Sequence, residues 1–432
     1  MKIAILGYSL EGRSSYEYFV GQGEHELTIC DENPSTEVPA GTANVLGPSY
    51  LDNLDRFDLL VRTAGLQPSL ILNKNPGVAD KITSNMNEFL KACPTKNVIG
   101  VTGTKGKGTT STLISLMLQA AGKSVQLGGN IGVPALNMLP AITTESWVVL
   151  ELSSFQLIDL QTSPHIGVCL MVVPEHLDWH LELNEYVESK TRLFAHQTSE
   201  DIAIYFTENE FSKQIASVGS AQKVPYFAPP GALVQDNAIT IDGHTICKTD
   251  ELKLLGKHNW QNVCAAVTAA WQATKDVEAL RSVLTSFSGI EHRLELVREL
   301  DNVKYYDDSY GTAPETARVA LEAFEQPVII ILGGRNKGIP FDDLAEFVAG
   351  YNPKRVIAIG ETGPEIADLL RKNGYDQITE GGKTIEEIVR QAKELAEPGD
   401  VVLLSTACTS FDMFKNYKER GEQFTKAVRA LV

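Results

Sequence analysis

The chain lacks any apolar run approaching the roughly 20 residues that cross a bilayer as a helix. Its start carries Lys2, but the apolar stretch that follows runs only from Ile3 to Leu6, too short for the core of a secretory signal. Positive charge is in deficit: 38 Lys and Arg stand against 55 Asp and Glu, a formal net charge of −17. That balance argues against nucleic acid or an anionic membrane as the main partner, while leaving room for a small anion held by a local field. The six cysteines (Cys30, Cys93, Cys169, Cys247, Cys264 and Cys408) include no C-x-x-C pair. Several lie in apolar patterns, as buried free thiols in a reducing compartment do. No fixed-period repeat and no low-complexity segment interrupts the chain. The expectation is a cytoplasmic, monomeric protein that acts on small molecules.

What is present is size and apolar content. At 432 residues with 43% hydrophobic composition, the chain suffices for two to three domains, each with its own core. The most informative stretch is Val98-Ile99-Gly100-Val101-Thr102-Gly103-Thr104-Lys105-Gly106-Lys107-Gly108-Thr109-Thr110. An apolar strand enters a glycine-rich turn, then a lysine, then hydroxyls that open a helix with Leu113, Leu116, Met117, Ala120 and Ala121 at helical spacing before Gly122. Such a turn lets backbone N–H groups close around phosphate oxygens, the lysine adds a point charge, and the helix N-terminus adds unpaired donors. A hydroxyl beside the lysine ligates Mg²⁺ in such loops. Gly108 stands where that hydroxyl is expected, so Thr109 would supply it.

Alternating strand and helix patterns organise the rest and predict parallel, doubly wound sheets. Lys2–Leu6 reads as a strand, followed by a helix with Tyr16, Phe19 and Val20 on one face and a second strand at Leu27–Cys30, with Asp31 directly after it. The turn Gly7-Tyr8-Ser9-Leu10-Glu11-Gly12 is similar to a dinucleotide fingerprint, with Ser9 in place of its middle glycine and an acidic residue about 20 positions on. A nucleotide-like ligand fits this pattern better than a redox cofactor. Trp147–Leu150 ends at Glu151, and Val168–Val173 ends before Glu175, His176 and Asp178. A hairpin is signalled at 239–246, helices at 259–273 and 411–431, and four further strands at 303–306, 328–332, 355–359 and 401–404.

Glu151 occupies the strand-end position of a carboxylate that shares Mg²⁺ with Thr109 between phosphates; a strand-end ion pair would place it equally well. His176 and Lys190, taken alone, read as a hydrogen-bonded structural histidine and a solvated helix lysine.

The ordered set of motifs resembles the Mur ligase family. The residues that carry the likeness are Gly103-Thr104-Lys105-Gly106-Lys107, Gly128-Gly129-Asn130-Ile131-Gly132-Val133-Pro134, Glu151 through Leu157 (E-L-S-S-F-Q-L), His176-Leu177-Asp178, His258-Asn259 with Asn262, His292-Arg293, Leu332-Gly333-Gly334 with Lys337, and Ser410-Phe411-Asp412 with Phe414, Lys415, Asn416 and Tyr417. The resemblance implies an α/β protein of three domains: a Rossmann-like UDP-substrate domain over 1–92, a P-loop ATPase domain over 93–287, and a C-terminal Rossmann-like amino-acid domain over 288–432. It implies ATP-dependent amide ligation through an acyl phosphate, with UDP-N-acetylmuramoyl-L-alanine and glutamate as substrates. A superfamily ligase with another amino acid or substrate, such as a folylpolyglutamate synthase relative, is the alternative.

By position, the resemblance gives Lys107 to the β/γ-phosphates, with Gly103, Thr104, Lys105, Gly106, Gly108, Thr109 and Thr110 around them. It gives Thr109 and Glu151 to one Mg²⁺, His176 to a second, and makes Lys190 the lysine that the family carbamylates. Asn259, Asn262, Arg293 and Asp308 fall to ATP, and Ser9, Leu10, Asp31, Thr63, Ala64, Gly65 and Asn130 to the UDP-linked substrate. Thr312, Lys337, Ser410, Phe411 and Tyr417 fall to the incoming amino acid. The chain departs from the pattern at Gly108, at Asn33 (an arginine often follows the uridine aspartate) and at Tyr310, where related sequences carry lysine in D-S-K-x-T.

Overall fold

The computed structural model describes residues 1–23, 25–177, 179–254, 256, 259–336 and 340–432, with the side chain of Glu315 set aside. They form two compact units, Met1–Phe287 and Ser288–Val432. Among the described residues no helix is long and apolar enough to cross a membrane.

The first unit contains three sheets. Strands β1 (Lys2–Leu6), β2 (Glu26–Asp31), β3 (Ala43–Leu46), β4 (Leu59–Arg62) and β5 (Ile82–Ser84) form a parallel sheet in the order β3-β2-β1-β4-β5. The order reverses between β1 and β4, and ligands of open α/β sheets bind in the crevice beyond the carboxyl ends at such a point. The turns after these two strands carry Ser9 and Leu10 on one side and Thr63 and Gly65 on the other. Strands β6 (Val98–Thr102), β7 (Val125–Gly129), β8 (Trp147–Glu151), β9 (Ile166–Cys169), β10 (Ile202–Phe206) and β11 (Gln222–Tyr226) form a second parallel sheet in the order β11-β10-β9-β6-β8-β7. Strands β12 (Leu233–Gln235), β13 (Ala238–Ile241) and β14 (His244–Lys248) make a small antiparallel sheet. The β13–β14 hairpin turns at Asp242-Gly243, both with positive φ, as a two-residue hairpin demands.

In the second unit β15 (Glu295–Leu300), β16 (Val303–Asp307), β17 (Val328–Gly333), β18 (Arg355–Ile359), β19 (Ile378–Glu380) and β20 (Val401–Leu404) line up as β15-β16-β20-β17-β18-β19, parallel except for β15 on β16. Central strands such as Val-Ile-Ile-Ile-Leu at 328–332 are buried throughout, because helices cover both faces of a parallel sheet.

Three local expectations need correction. The expected strand at 168–173 runs instead over Ile166–Cys169. Beyond Cys169 the backbone takes side-chain partners: Asn209 bonds both the N–H and the C=O of Val172, and the Thr104 hydroxyl bonds those of Val173. The helix expected from Phe411 begins at Tyr417, where the Asn416 side chain accepts the N–H of Glu419 and caps it. On the first helix (Leu10–Gln22), Phe19 is buried but Val20 is exposed; Gly12, Ser14 and Ser15 form the rest of the inner face. Small residues are needed there because the chain passes close: a Cβ on Gly12 would stand 2.0 Å from the Gly7 carbonyl oxygen.

Polar contacts join the first sheet to the second. Arg62, fully buried at the end of β4, grips both carboxylate oxygens of Asp159 at 2.5 Å and donates to the carbonyls of Phe155 and Leu66. Asn87 exchanges hydrogen bonds with Asp159 and Gln161, Gln156 donates to Glu11, and Trp179 donates to Gly65. A buried guanidinium is tolerated when all its donors are engaged; removing the partner strands it, at about 3–5 kcal/mol. Asp159→Ala is therefore expected to destabilise the protein by about 3 kcal/mol in urea unfolding, whereas Arg62→Leu with Asp159→Leu should lose much less. Equal losses in the two variants would show that the buried charge is not what the pair satisfies.

Candidate active site

The glycine-rich turn leaves β6 and ends in the helix Lys107–Ala120. Gly103 and Gly106 have φ of +149° and +86°, which L side chains rarely adopt. Their surroundings exclude a side chain as well. A Cβ on Gly106 would lie 2.1 Å from Asn262 Oδ1, and one on Gly103 would lie 2.7 Å from Leu170. Asn262 in turn donates to Asn259 Oδ1 at 2.8 Å, and both sit on the first turn of the helix Asn259–Ala273. The structure thus brings these two asparagines onto the loop, from far along the chain. Thr104 is buried, and its hydroxyl meets Val173 and the phenol of Tyr186 at 2.7 Å. Lys105 projects outward and pairs with Glu175 at 2.5 Å.

Two ammonium groups converge on one oxygen. Lys107 Nζ donates to Gly103 O at 3.0 Å, and Lys190 Nζ donates to the same oxygen at 3.2 Å. Lys190 lies on the helix Leu183–Ala195, is 1% exposed, and stands over the Tyr186 ring at 4.5 Å from its centroid. Burial, reinforced by the charge of Lys107, pushes its pKa down to about 7. A solvated helix lysine is thereby excluded. At neutral pH a sizeable share of this amine is uncharged.

Glu151 ends β8 and pairs in register with Val101 of β6. It is 5% exposed, and Asn130 holds it twice: Asn130 Nδ2 donates to Glu151 Oε1 at 2.7 Å and Asn130 N to Glu151 O at 2.9 Å. Asn130 therefore works on this carboxylate as well as facing solvent. Thr109 lies half-buried in the first helical turn; Gly108, Thr110 and Ser111 are buried, and the hydroxyls of the last two lack a hydrogen-bond partner among the described residues. His176 is exposed with φ of +59°, its ring tilted against Phe155 with centroids 4.8 Å apart and its Nε2 3.7 Å from Glu175. Asp178 lies outside the described residues. The oxygen donors Glu151 and Thr109 suit Mg²⁺, a hard cation, and a neutral amine at Lys190 suits addition to CO₂. The residues present fit both groups.

At the first-sheet crevice, Asp31 accepts from Tyr8 N at 2.6 Å, from Asn33 N and from the Thr36 hydroxyl. Thr63 is packed under Gly7, where a Cβ would come within 2.4 Å of its hydroxyl. Ser9, Leu10 and Gly65 are exposed. Asn33, where a cation would be expected, closes the Asp31 loop through its own backbone and accepts from Ser35 N.

In the second unit, Asp308 follows β16. It is buried, accepts from Ser405 Oγ at 2.6 Å and from Leu294 N, and burial raises its pKa to about 7. Arg293 is exposed beside it, its guanidinium 5.7 Å from the Tyr310 ring centroid. His292 bonds Asp307 at 2.7 Å; burial works against its charge, but Asp307 prevails and the pKa is raised. Gly421 of the last helix packs here, since a Cβ would meet the His292 ring at 2.2 Å. Tyr417 stands edge-on to Tyr310 at 5.3 Å, and its carbonyl accepts from Ser309 Oγ. Ser410 is buried, Phe411 is 60% exposed, and Thr312 is half-buried. Lys337 lies outside the described residues.

Sequence reading missed Tyr186, Asn209, Arg62 with Asp159, and Arg420. Arg420 is buried and bonds Ser309 and the Cys408 carbonyl, bracing the segment that bears Asp308. Arg62 had a readable signal, a charge closing the apolar strand Leu59-Leu60-Val61; the others had none without a three-dimensional partner.

A strand-loop-helix phosphate cradle with a strand-end carboxylate, on one of several parallel sheets, defines a P-loop nucleotide enzyme. Comparison with known proteins takes this further. The chain matches the Mur ligase middle domain over residues 101–270 and the Mur ligase glutamate ligase domain over 292–408. It is 38% identical to the UDP-N-acetylmuramoylalanine–D-glutamate ligase of Symbiobacterium thermophilum, covering 100% of this chain and 98% of that one. It is 39% identical to the enzyme of the same name from Clostridium kluyveri, covering 99% and 96%. The chain belongs to the Mur ligase family. Its fold is also that of the MurF ligase of Thermotoga maritima, solved in complex with ADP, with a TM-score of 0.57 at 16% identity over 99% of this chain and 95% of that one.

The Lys190 environment generates a stability test. A lysine whose pKa falls from 10.5 to about 7 on folding destabilises the fold fully below pH 7, where it is charged in both states. That penalty fades between pH 7 and 10.5, where the folded amine has lost its proton and the unfolded one has not. In CO₂-free buffer, Lys190→Met should therefore raise the melting temperature most below pH 7, with the gain shrinking towards pH 10. A gain that grows with pH would reverse the assignment.

Proposed function

We propose that the chain joins D-glutamate to the alanyl carboxylate of UDP-N-acetylmuramoyl-L-alanine, at the expense of ATP, in the cytoplasmic assembly of peptidoglycan precursors. It acts as a monomer, with 1–92 as the UDP-substrate domain, 93–287 as the ATPase domain and 288–432 as the amino-acid domain. The observation that carries the reading is the paired approach of Lys107 and Lys190 to the Gly103 carbonyl, at the head of a phosphate loop, in a chain 38% identical over its full length to a ligase so named.

A carboxylate is a poor electrophile, and transfer of the terminal phosphoryl group of ATP to it supplies a leaving group. A carboxylate oxygen forms a new O–P bond to the γ-phosphoryl group as its P–O bond to ADP breaks; the glutamate amine then attacks the acyl carbon, forming the C–N bond, loses a proton, and expels phosphate as the C–O bond breaks. Repulsion between the two anions is the barrier that the protein must offset. Lys107 and the N–H groups of the loop take the phosphate charge. Thr109 and Glu151 would hold one Mg²⁺ and His176, with carbamylated Lys190, a second; bound Mg²⁺ supplies charge neutralisation at the phosphates. Asn130 keeps the Glu151 carboxylate oriented. Asn259 and Asn262, against the loop, and Arg293 and Asp308 serve the nucleotide. Ser9, Leu10, Asp31, Thr63 and Gly65 face the UDP-linked substrate, and Thr312, Lys337, Ser410, Phe411 and Tyr417 the amino acid.

The five-stranded sheet that precedes the phosphate loop counts against a folylpolyglutamate synthase, whose relatives begin close to their loop.

Phosphate release with UDP-N-acetylmuramoyl-L-alanine and a panel of D- and L-amino acids is expected to respond to D-glutamate above all others; a preference for another amino acid would displace the reading. Lys107→Ala should abolish release. Lys190→Ala should lose most activity and regain part of it with added bicarbonate or short carboxylates; full activity without them would remove the carbamate.

A further inference from the structure

Arg293 sits in a segment whose backbone is unusually constrained for so exposed a side chain. His292 and Leu294, on either side of it, have φ of +62° and +45°, a strained region for residues with a Cβ. Four bonds hold this shape. Glu295 accepts the His292 N–H at 2.9 Å, Asp307 holds the His292 ring at 2.7 Å, Asp308 accepts the Leu294 N–H at 3.2 Å, and the His292 carbonyl accepts the Tyr310 N–H at 2.8 Å. That last bond places Tyr310 directly beside the arginine. Its ring lies under the guanidinium at 5.7 Å and is itself met edge-on by Tyr417 at 5.3 Å, with an interplanar angle of 88°. Tyr417 is anchored at its carbonyl by Ser309 Oγ at 2.7 Å, and Ser309 by buried Arg420. The backbone of Arg293 is thus fixed by carboxylates and its guanidinium by an aromatic face.

An arginine side chain has several rotatable bonds, and an exposed one loses rotamer freedom when it binds an anion. A ring beneath the guanidinium restrains it before the anion arrives, and leaves its N–H edges open because the contact uses the face. A lysine at position 310 could not do this; it would repel the arginine.

We propose that Tyr310 is a positioning residue for nucleotide binding, restraining the Arg293 guanidinium before the anion it binds arrives. The inference rests on the reading that Arg293 serves ATP. A competing role for Tyr310, direct contact with the incoming amino acid, makes different predictions.

The test is a double-mutant cycle read by ADP affinity in calorimetry, together with steady-state kinetics of the full-length enzyme. Tyr310→Leu is expected to weaken ADP binding and raise the KM for ATP about two- to fivefold, with kcat at saturating ATP and the KM for D-glutamate unchanged. Tyr310→Phe, which keeps the ring, should restore wild-type affinity. In an Arg293→Ala background, Tyr310→Leu should have no further effect. The proposal is overturned if the two losses add, if Phe is as poor as Leu, if the KM for glutamate moves in place of that for ATP, or if Arg293→Ala leaves ADP affinity unchanged. ADP binding needs no ligation, so the cycle reports even if the protein joins no amino acid to the muramoyl substrate. Failure to ligate would sink the proposed function alone, and additive losses in a ligating enzyme would sink this inference alone.

Discussion

The arrangement most of the first unit serves is a crowding of positive charge. Lys107 and Lys190 donate to the same carbonyl oxygen of Gly103, although like charges in a buried setting repel strongly. One relief is visible in the molecule itself: the deeper amine, Lys190, has its pKa drawn down to about 7. The other relief is an anion. Two cationic side chains held this close to one carbonyl at the head of the loop attract a polyphosphate. Glu151 is held by Asn130, which donates to its carboxylate at 2.7 Å.

Around that centre the loop is immobilised from several directions. Asn262 packs against Gly106, Leu170 against Gly103, and Thr104 is threaded between Val173 and Tyr186. These partners come from three different stretches of chain. The same unit carries the first sheet, tied on through Arg62, Asp159, Asn87 and Gln161. Such polar seams contribute little net stability for the desolvation they require, but they penalise any misregistered docking heavily. Their value to a ligase is geometric: the acid and the phosphoryl donor must be presented at fixed separation before reaction.

Much of this was legible in the sequence, for identifiable reasons. The phosphate loop is a local motif whose glycines, lysine and hydroxyls act within one turn, so its form survives in one dimension. The parallel sheets announced themselves through short apolar runs such as Val98–Val101 and Val328–Leu332. Lys190 was not legible from its own surroundings: nothing in Val187-Glu188-Ser189-Lys190 says that the side chain points into a cationic pocket. Only likeness to a family singled it out. Tyr186 and Asn209 left no trace either, because their partners, Thr104 and Val172, lie far away in the chain. The helix at the C-terminus was expected to start too early, since the apolar Phe411 suggested periodicity while the decisive signal was the Asn416 cap.

The sheet ladder on β9 stops at Cys169, and the next residues are held by the side chains of Thr104 and Asn209. This division of labour has an evolutionary consequence. Backbone ladders resist change, because every rung is common property of two strands. A rim fastened by two polar side chains can be re-cut by single substitutions that never reach the core. The lip of the phosphate site is thus a place where lineages sharing this scaffold can drift in loop shape while the sheet beneath stays as it was.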